Sequence, residues 1–310
     1  MIDQHRWDGA PIVAPGIYRD LPLVHYHRGD IADGPSVSST SLRHLFDKSP
    51  AHCWARSALN PKRIEEEESE AFILGRATHH LICQQVNFAN EFVVRPETLE
   101  GLKWQGNRTE CKNWLKARKR EGKSVLTSGQ VEQIRGMGFA LGEFPLFKAG
   151  ALDGLIERSL FWKDKETGLW LKARPDAIPN DSGDFSDLKT TRSVMYHDLQ
   201  NALANYGYVQ QAALVMEGAD ALGIEASTFT LLWVETEPPH CVRAQQLKDE
   251  DIQRGTRMNR VAIRAFADCL ASGVWPGPGD DRADAEYIDL PDWKRKQIDE
   301  RIALQLREAA

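Results

Sequence analysis

Asp176, Asp187 and Lys189 fall within one short polar stretch, "RPDAIPNDSGDFSDLKTT", residues 174–191. Two carboxylates and an ammonium so close together can hold a divalent cation and act on a water beside it. Phosphodiester hydrolysis needs those parts. A hard cation takes oxygen ligands and tolerates open water positions, and it lowers the pKa of a bound water. A nearby ammonium orients or helps deprotonate that water, or stabilises the developing charge. A solvated charged turn accounts for the same residues more cheaply, so the rest of the chain has to decide.

The spacing predicts a hairpin about the turn "PNDSGD", residues 179–184. Symmetric pairing sets Ile178 opposite Phe185 and Asp176 opposite Asp187, with Cβ atoms about 4.5–5.5 Å apart. Like charges at that distance repel unless a cation lies between them. Alternation gives one face Lys172, Arg174, Asp176, Asp187 and Lys189, and the other Leu171, Ala173, Ala177 and Leu188.

Several other chemistries are disfavoured. No GxxxxGK[ST] stretch is present, so ATP hydrolysis by a P-loop is not expected. Nor is there a GxSxG motif; Ser38, Ser39 and Ser41 read as helix caps rather than nucleophiles. Cys53, Cys83, Cys111, Cys241 and Cys269 are scattered without a CxxC pair. That pattern argues against a disulfide framework, a structural zinc site and an iron–sulfur cluster. His25 and His27, with His79 and His80, lack the cysteine spacing that would support zinc.

The net charge of −6 does not point to nucleic acid, but it hides an asymmetry. Residues 103–123 carry eight Lys or Arg against two Glu, a net +6, leaving −12 for the remainder. Lys112, Lys116, Arg118, Lys119 and Arg120 in this segment are candidate contacts to a phosphate backbone. Trp104 and Trp114 within it are candidates for stacking on bases. A solvated helix face is the plainer explanation.

With 42% hydrophobic and 27% charged residues, the 310-residue chain can bury a substantial core. No apolar run approaches the roughly 20 residues that span a bilayer. The first residues show no basic stretch followed by an apolar one, so a cytoplasmic location is expected.

Residues 1–35 read as an irregular arm with short strands. Helices are expected after Ser38–Ser41, from Pro50, over "AFILGRATHHLICQQV", through the basic segment, and from Thr127 or Ser128. "GLIERSLFWKD", "GLWLKARPDAI" and "DFSDLKTT" predict three strands, and "YHDLQNALANYGYVQQAALVMEGADAL" a helix. Two more strands meet at Pro238–Pro239, and helices over about 249–271 and 292–308 close the chain. Helices, strands, helix, strands and helices in that order predict an α/β or α+β fold around a central mixed sheet.

"PD" at 175–176 followed by "DLK" at 187–189 resembles the PD-(D/E)xK nuclease signature. The segments "SSTSLRHLFDKSPAHCW", "GRATHHL", "GKSVLT", "IERSLFW", "RPDAI", "DLKTT", "YVQQAA" and "GVWPGPG" resemble the RecE-like (exonuclease VIII) branch in matching order. The likeness runs from about residue 36 to 290. It implies a restriction-endonuclease-like α/β core with added N-terminal helices, as an exonuclease domain over 36–290 between an arm (1–35) and a C-terminal helix (291–310).

By the same resemblance, Asp176 and Asp187 are metal-binding carboxylates, Lys189 is the catalytic lysine, and His79 and the Leu188 carbonyl join the metal shell. Gln210 matches the glutamine of the following helix, with Gln211 an open alternative because relatives place a tyrosine four residues later and here Tyr206 lies four before Gln210. From the residues themselves, Glu157 reads either as an accessory acid near the site or as a strand-face salt-bridge partner, and Tyr206 as a further accessory residue. His79 shares a helical stripe with Phe72, Gly75, Ile82, Cys83 and Val86, where a lone histidine is ordinarily a core residue; the resemblance reverses that reading.

The resemblance further implies Mg2+, with Mn2+ as a substitute, and 5′→3′ digestion of linear double-stranded DNA to leave 3′ overhangs. A RecT-like single-strand annealing protein would be the partner, a ring-shaped trimer or tetramer the assembly, and a bacterial or phage-infected cell the setting. The alternatives are a structure-specific endonuclease, a RecB-like nuclease of other polarity, and a catalytically inactive DNA-binding module. The intact Asp176–Asp187–Lys189 set weighs against the last.

Overall fold

A computed structural model describes residues 4–65, 68–83, 88–180, 182–280 and 283–308. Glu66, Glu67, Val86 and Asp181, from the acidic run, the His79 stripe and the 179–184 turn, lie outside the described residues. The chain divides into two compact units, Met1–Trp275 and Pro276–Ala310.

The first unit begins with β1 (Gln4–Arg6), β2 (Gly16–Arg19), the short turn of helix α1 (Leu23–Tyr26) and β3 (Ser36–Ser38). Helices α2 (Ser39–Asp47), α3 (Pro50–Arg56), α4 (Glu70–Ile82) and α5 (Phe88–Glu91) follow. Then come β4 (Phe92–Val94), β5 (Thr98–Leu99), β6 (Leu102–Lys103), the basic helix α6 (Thr109–Arg120) and β7 (Ser124–Leu126). Helices α7 (Ser128–Glu143) and α8 (Pro145–Lys148) lead into the strands that carry the polar stretch. These are β8 (Gly154–Ile156), β9 (Ser159–Lys163), β10 (Trp170–Ala173), β11 (Ala177–Pro179) and β12 (Asp184–Thr191). Helices α9 (Tyr196–Asn205) and α10 (Tyr208–Ala221), strands β13 (Thr228–Glu235) and β14 (Val242–Gln246), and α11 (Asp249–Ser272) complete it. The second unit contains α12 (Asp292–Glu308), whose first turn is closed by an Arg295–Asp292 ion pair.

Helix starts follow local chemistry. Ser49 caps α3 from its side chain, with Pro50 at the first helical position. Thr127 and Gln130 form a reciprocal capping box at the start of α7. Ser38 holds the N-cap position of α2 but makes no side-chain capping bond; its neighbours Ser39 and Thr40 border the cleft described below.

The α/β class and its mixed pairing hold, with the strands shared among several sheets. One mixed sheet has the order β1-β2-β9-β10-β3, and another the order β12-β13-β14. Residues 1–35, read as an arm, therefore contribute two strands to the first sheet. The 179–184 turn does not close a paired hairpin. Strand β11 pairs instead with β8, Ile178 opposite Leu155, while β12 runs parallel to β13 with Asp187 beside Leu231 and Lys189 beside Trp233.

Burial on both faces explains this choice. Phe185 and Leu188 of β12 are fully buried on opposite sides, as expected of a strand sandwiched between two layers. Leu188, Leu232 and Val234 pack with Leu74 and Ala77 of α4 and Met137 and Leu141 of α7. Phe185, Leu231 and Trp233 pack with Ala212 and Leu214 of α10, Phe266 of α11 and the five-stranded sheet. Each such large side chain contributes about 1.5–3 kcal/mol of burial. Strand β11 is short and ends at Pro179, which has no N–H for a ladder.

Two further departures shape the site. The single strand expected over "GLIERSLFWKD" is interrupted at Glu157, which sits at φ +51° and sends β8 and β9 to different partners. The helix expected over 196–222 breaks at Gly207, φ +64°, where a side chain would strike Arg43. Helix α11 then crosses α10 at Gly255, where a Cβ would collide with the Val209 carbonyl. This contact fixes the rotation of α10 and hence which of its residues reach β12.

Alternation sets Lys172 on the face of the carboxylates, but the structure turns it toward residues 26–28 instead. It is 2% exposed, and its Nζ donates to the carbonyls of Tyr26 (2.6 Å) and Arg28 (2.5 Å). Arg174 likewise donates to the Leu21 carbonyl at 2.7 Å and to Ser159 Oγ. The two cations tie residues 21–28 to the first sheet. Lys172→Met leaves the buried Tyr26 carbonyl without a donor and the Arg28 carbonyl with only a long bond from Ser36 Oγ at 3.4 Å, and is expected to cost about 1–3 kcal/mol. The test is a urea midpoint at unchanged m-value; an unaltered or higher midpoint contradicts the tie.

Candidate active site

The polar residues of β11 and β12 meet where the two strands diverge. Asp176 stands just before β11, and its Oδ2 accepts the Leu188 N–H at 2.6 Å. A strand residue's N–H and C=O share one side, so the Leu188 carbonyl also turns away from β13 and toward Asp176. Helix α4 brings His79 over the pair, with Nδ1 3.4 Å from Asp176 Oδ1.

Lys189 follows Asp187 by two residues on β12 and so projects from the same face. Its Nζ lies 2.5 Å from Asp187 Oδ2. It also donates to Gln211 Oε1 at 3.1 Å, and it lies 4.9 Å from the centre of the Tyr208 ring. Gln211 Nε2 donates in turn to Asp187 Oδ1 at 2.8 Å. One glutamine thus grips both the carboxylate and the ammonium.

The glutamine assignment shifts by one residue. Gln210 is fully buried away from the site; its Nε2 donates to Asn259 Oδ1 at 3.3 Å, and Asn259 Nδ2 donates to the Gln210 carbonyl. Successive helix residues differ by about 100°, so only one of the two can face β12. Tyr206, in the break between α9 and α10, borders the cleft but is 59% exposed, and its carbonyl accepts from Arg43. Tyr208 is the tyrosine beside Lys189.

Charge is concentrated here with little water to screen it. Burial pushes the Asp187 carboxyl above its ordinary range; Lys189 pulls against this and Asp176 adds to it. Burial also pushes on Asp176, but the charge and hydrogen bond of His79, then Lys189 and the Leu188 N–H, hold it below the ordinary value. Burial opposes charge on Lys189 as well, and Asp187 and Asp176 overcome it, so the ammonium is kept protonated. In His79 the Asp176 charge outweighs burial and raises the pKa.

Whether these residues fit a cation can be read from the donor set. Two buried carboxylates, Asp176 and Asp187, stand in one site with the imidazole of His79, and the Lys189 ammonium at 2.5 Å from Asp187 Oδ2 offsets only part of their charge. Paired buried carboxylates favour a cation between them. Carboxylate, imidazole and carbonyl donors suit a hard to borderline divalent ion.

Glu157 is placed by its backbone: its N–H donates to the Asp176 carbonyl at 3.0 Å. Burial first, then the Asp176 charge, pushes its carboxyl up to about 7. A folded-state pKa above the unfolded value stabilises fully at low pH, and that contribution is lost as pH rises through about 7. In chelator, the melting temperature of the wild type is therefore expected to fall between about pH 5 and 8, and Glu157→Gln to flatten that fall. Equal slopes in the two proteins contradict this account of Glu157.

Around these residues opens a cleft of about 1200 Å3, bordered by Arg43, Arg76, His79, Arg174, Lys189 and Arg192 among others. The sequence reading missed Arg43 and Arg192 as cleft cations, because nothing in their local pattern marks them. The five cations named on α6 do not border this cleft. Arg118 is paired with Glu121 at 2.7 Å and lies over the Trp114 ring. Trp104 and Trp114 pack edge to face against each other, with Arg95 over Trp104. Lys112, Lys116, Lys119 and Arg120 are exposed.

A mixed α/β core that holds PD, DLK and a helix-borne histidine around one cleft defines a PDDEXK-like protein. Residues 38–289 match the family described as "PDDEXK-like domain of unknown function (DUF3799)", and the chain belongs to it. Among curated proteins no match is found. Among solved structures, the chain is similar to one from Eubacterium rectale assigned as an exonuclease, with TM-score 0.59 and 13% identity over 87% of this chain and 97% of that one. A phage-related exonuclease from Haemophilus somnus aligns with TM-score 0.31 and 11% identity over 64% of this chain and 94% of that one. The first likeness establishes the shared fold. No described helix is long and apolar enough to cross a membrane.

Proposed function

We propose that the chain is a divalent-metal-dependent exodeoxyribonuclease. It acts on ends of linear double-stranded DNA, 5′→3′, and leaves 3′ overhangs for recombination by strand annealing. The observation that carries this reading is the convergence of Asp176, Asp187, Lys189, His79 and Gln211 in one basic cleft. Membership of a PDDEXK-like family supports the nuclease class.

His79, Asp176, Asp187 and the Leu188 carbonyl would hold the metal. Mg2+ or Mn2+, when bound, supplies Lewis acidity toward the phosphate and toward water. Lys189 positions the attacking water and meets the charge that develops on the phosphate. Gln211 keeps Lys189 and Asp187 at a fixed separation, so neither group reorganises during attack. Arg43 and Arg192 meet backbone phosphates at the cleft, and the exposed cations of α6 meet duplex farther out. Glu157 is an accessory group beside Asp176. An annealing protein of the RecT type as partner, a ring-shaped homo-oligomer and a cytoplasmic setting belong to the same proposal.

Linear duplex labelled separately at its 5′ and 3′ ends, run beside closed circular DNA, tests it. Early release of the 5′ label with intact circles is expected. Early release of the 3′ label overturns the polarity, and cut circles would replace the exonuclease reading with an endonuclease.

A further inference from the structure

One buried thiol lies against the metal-binding groups and has no part in the proposed hydrolysis. His79 and Cys83 are four residues apart at the end of α4, so both project from one face of the helix. Cys83 is 4% exposed, and its N–H closes the last turn onto the His79 carbonyl at 2.9 Å. Its Sγ, a ring nitrogen of His79 and a carboxylate oxygen of Asp176 all lie within 4.8 Å of one another. The His79–Asp176 separation of 3.4 Å is already close to that of two ligands on one tetrahedral ion at ~2.0–2.1 Å. No other group of three such donors is found among the described residues.

We infer that His79, Cys83 and Asp176 form a ligand set for a thiophilic divalent ion of the zinc class, overlapping the site proposed for Mg2+ and competing with it. This rests on the reading of His79 and Asp176 as metal ligands. The two ions use different donors. Mg2+ takes oxygen and leaves the thiol untouched, whereas Zn2+ and Co2+ accept nitrogen, sulfur and oxygen together. On coordination the Cys83 S–H bond breaks, an S–metal bond forms and the proton leaves to solvent; no electron changes hands. Because Asp176 and His79 belong to both sets, a bound Zn2+ excludes the activating ion, and nucleolytic turnover falls at Zn2+ concentrations far below those of Mg2+.

Cobalt(II) is the probe, because a thiolate ligand gives a near-ultraviolet sulfur-to-cobalt charge-transfer band and the weaker visible bands report binding by any donors. The full chain, Cys83→Ser and Cys241→Ser are titrated with Co2+ and, separately, with Zn2+ by calorimetry. The charge-transfer band is expected in the wild type and in Cys241→Ser, which removes the exposed thiol, and is expected to vanish in Cys83→Ser. Zn2+ affinity in Cys83→Ser should drop by at least about tenfold, the lower end of what changes beyond the ligands themselves produce. Co2+ binding with visible bands but no charge-transfer band in the wild type, or a band that survives Cys83→Ser, overturns the role of Cys83 and leaves the carboxylate site standing. Failure of the wild type to bind either ion overturns both this inference and the reading of His79 and Asp176 as ligands.

Discussion

Lys189→Ala is expected to bind duplex ends as the wild type does and to cleave them about 100- to 10,000-fold more slowly, the range attached to a positioned proton-transfer group. The lysine lies half-buried at the floor of the cleft, 2.5 Å from Asp187 and held by Gln211, so its loss changes the reacting centre and little of the surface that meets DNA. The split between affinity and rate is the diagnostic. Binding by anisotropy in Ca2+ and single-turnover cleavage in Mg2+ separate the two. Equal loss of binding and rate would make Lys189 a substrate anchor, and unimpaired cleavage would remove it from the chemistry.

Asp187→Ala is expected to abolish cleavage and also to destabilise the metal-free fold by up to about 3 kcal/mol, the lower end for a fully buried pair, because it strands a half-buried ammonium. The two members of the pair respond differently to losing their partner. Burial and Asp176 already push Asp187 toward its protonated form, so without Lys189 it can take up a proton and become neutral. Lys189 is held in its charged form by the carboxylates around it, and once Asp187 is gone Asp176 is the carboxylate left to balance it. Urea unfolding in chelator should therefore rank Asp187→Ala below Lys189→Ala. Replacing both with leucine should recover most of the stability and none of the activity. A double variant as unstable as Asp187→Ala contradicts the buried-charge account.

The chemistry was more legible in the sequence than the geometry that delivers it. Asp176, Asp187, Lys189 and His79 were recognisable because their types and order are constrained, and the structure brings all four together. The hairpin that seemed to join the carboxylates was a false inference from a local turn. Strand β12 carries apolar residues on both faces, and that demand for two covering layers, which no local pattern exposes, sends its ladder to β13. Gln211 rather than Gln210 reaches the site because Gly207 resets the start of α10 and Gly255 sets its rotation against α11. The break at Glu157 requires a left-handed backbone at a residue other than glycine, which propensity does not foresee. Cys83 has no cysteine at a metal-binding spacing; it lies one helical turn after His79, and Asp176, which completes the group, comes from a distant strand.

The most direct test of the central claim is release of acid-soluble nucleotide from linear duplex DNA by the wild type in Mg2+, by the wild type in EDTA, and by Lys189→Ala in Mg2+. Release in the first reaction alone is the predicted result. Release that persists in EDTA, or that is equal in the variant, contradicts a metal-dependent nuclease built on Asp176, Asp187 and Lys189.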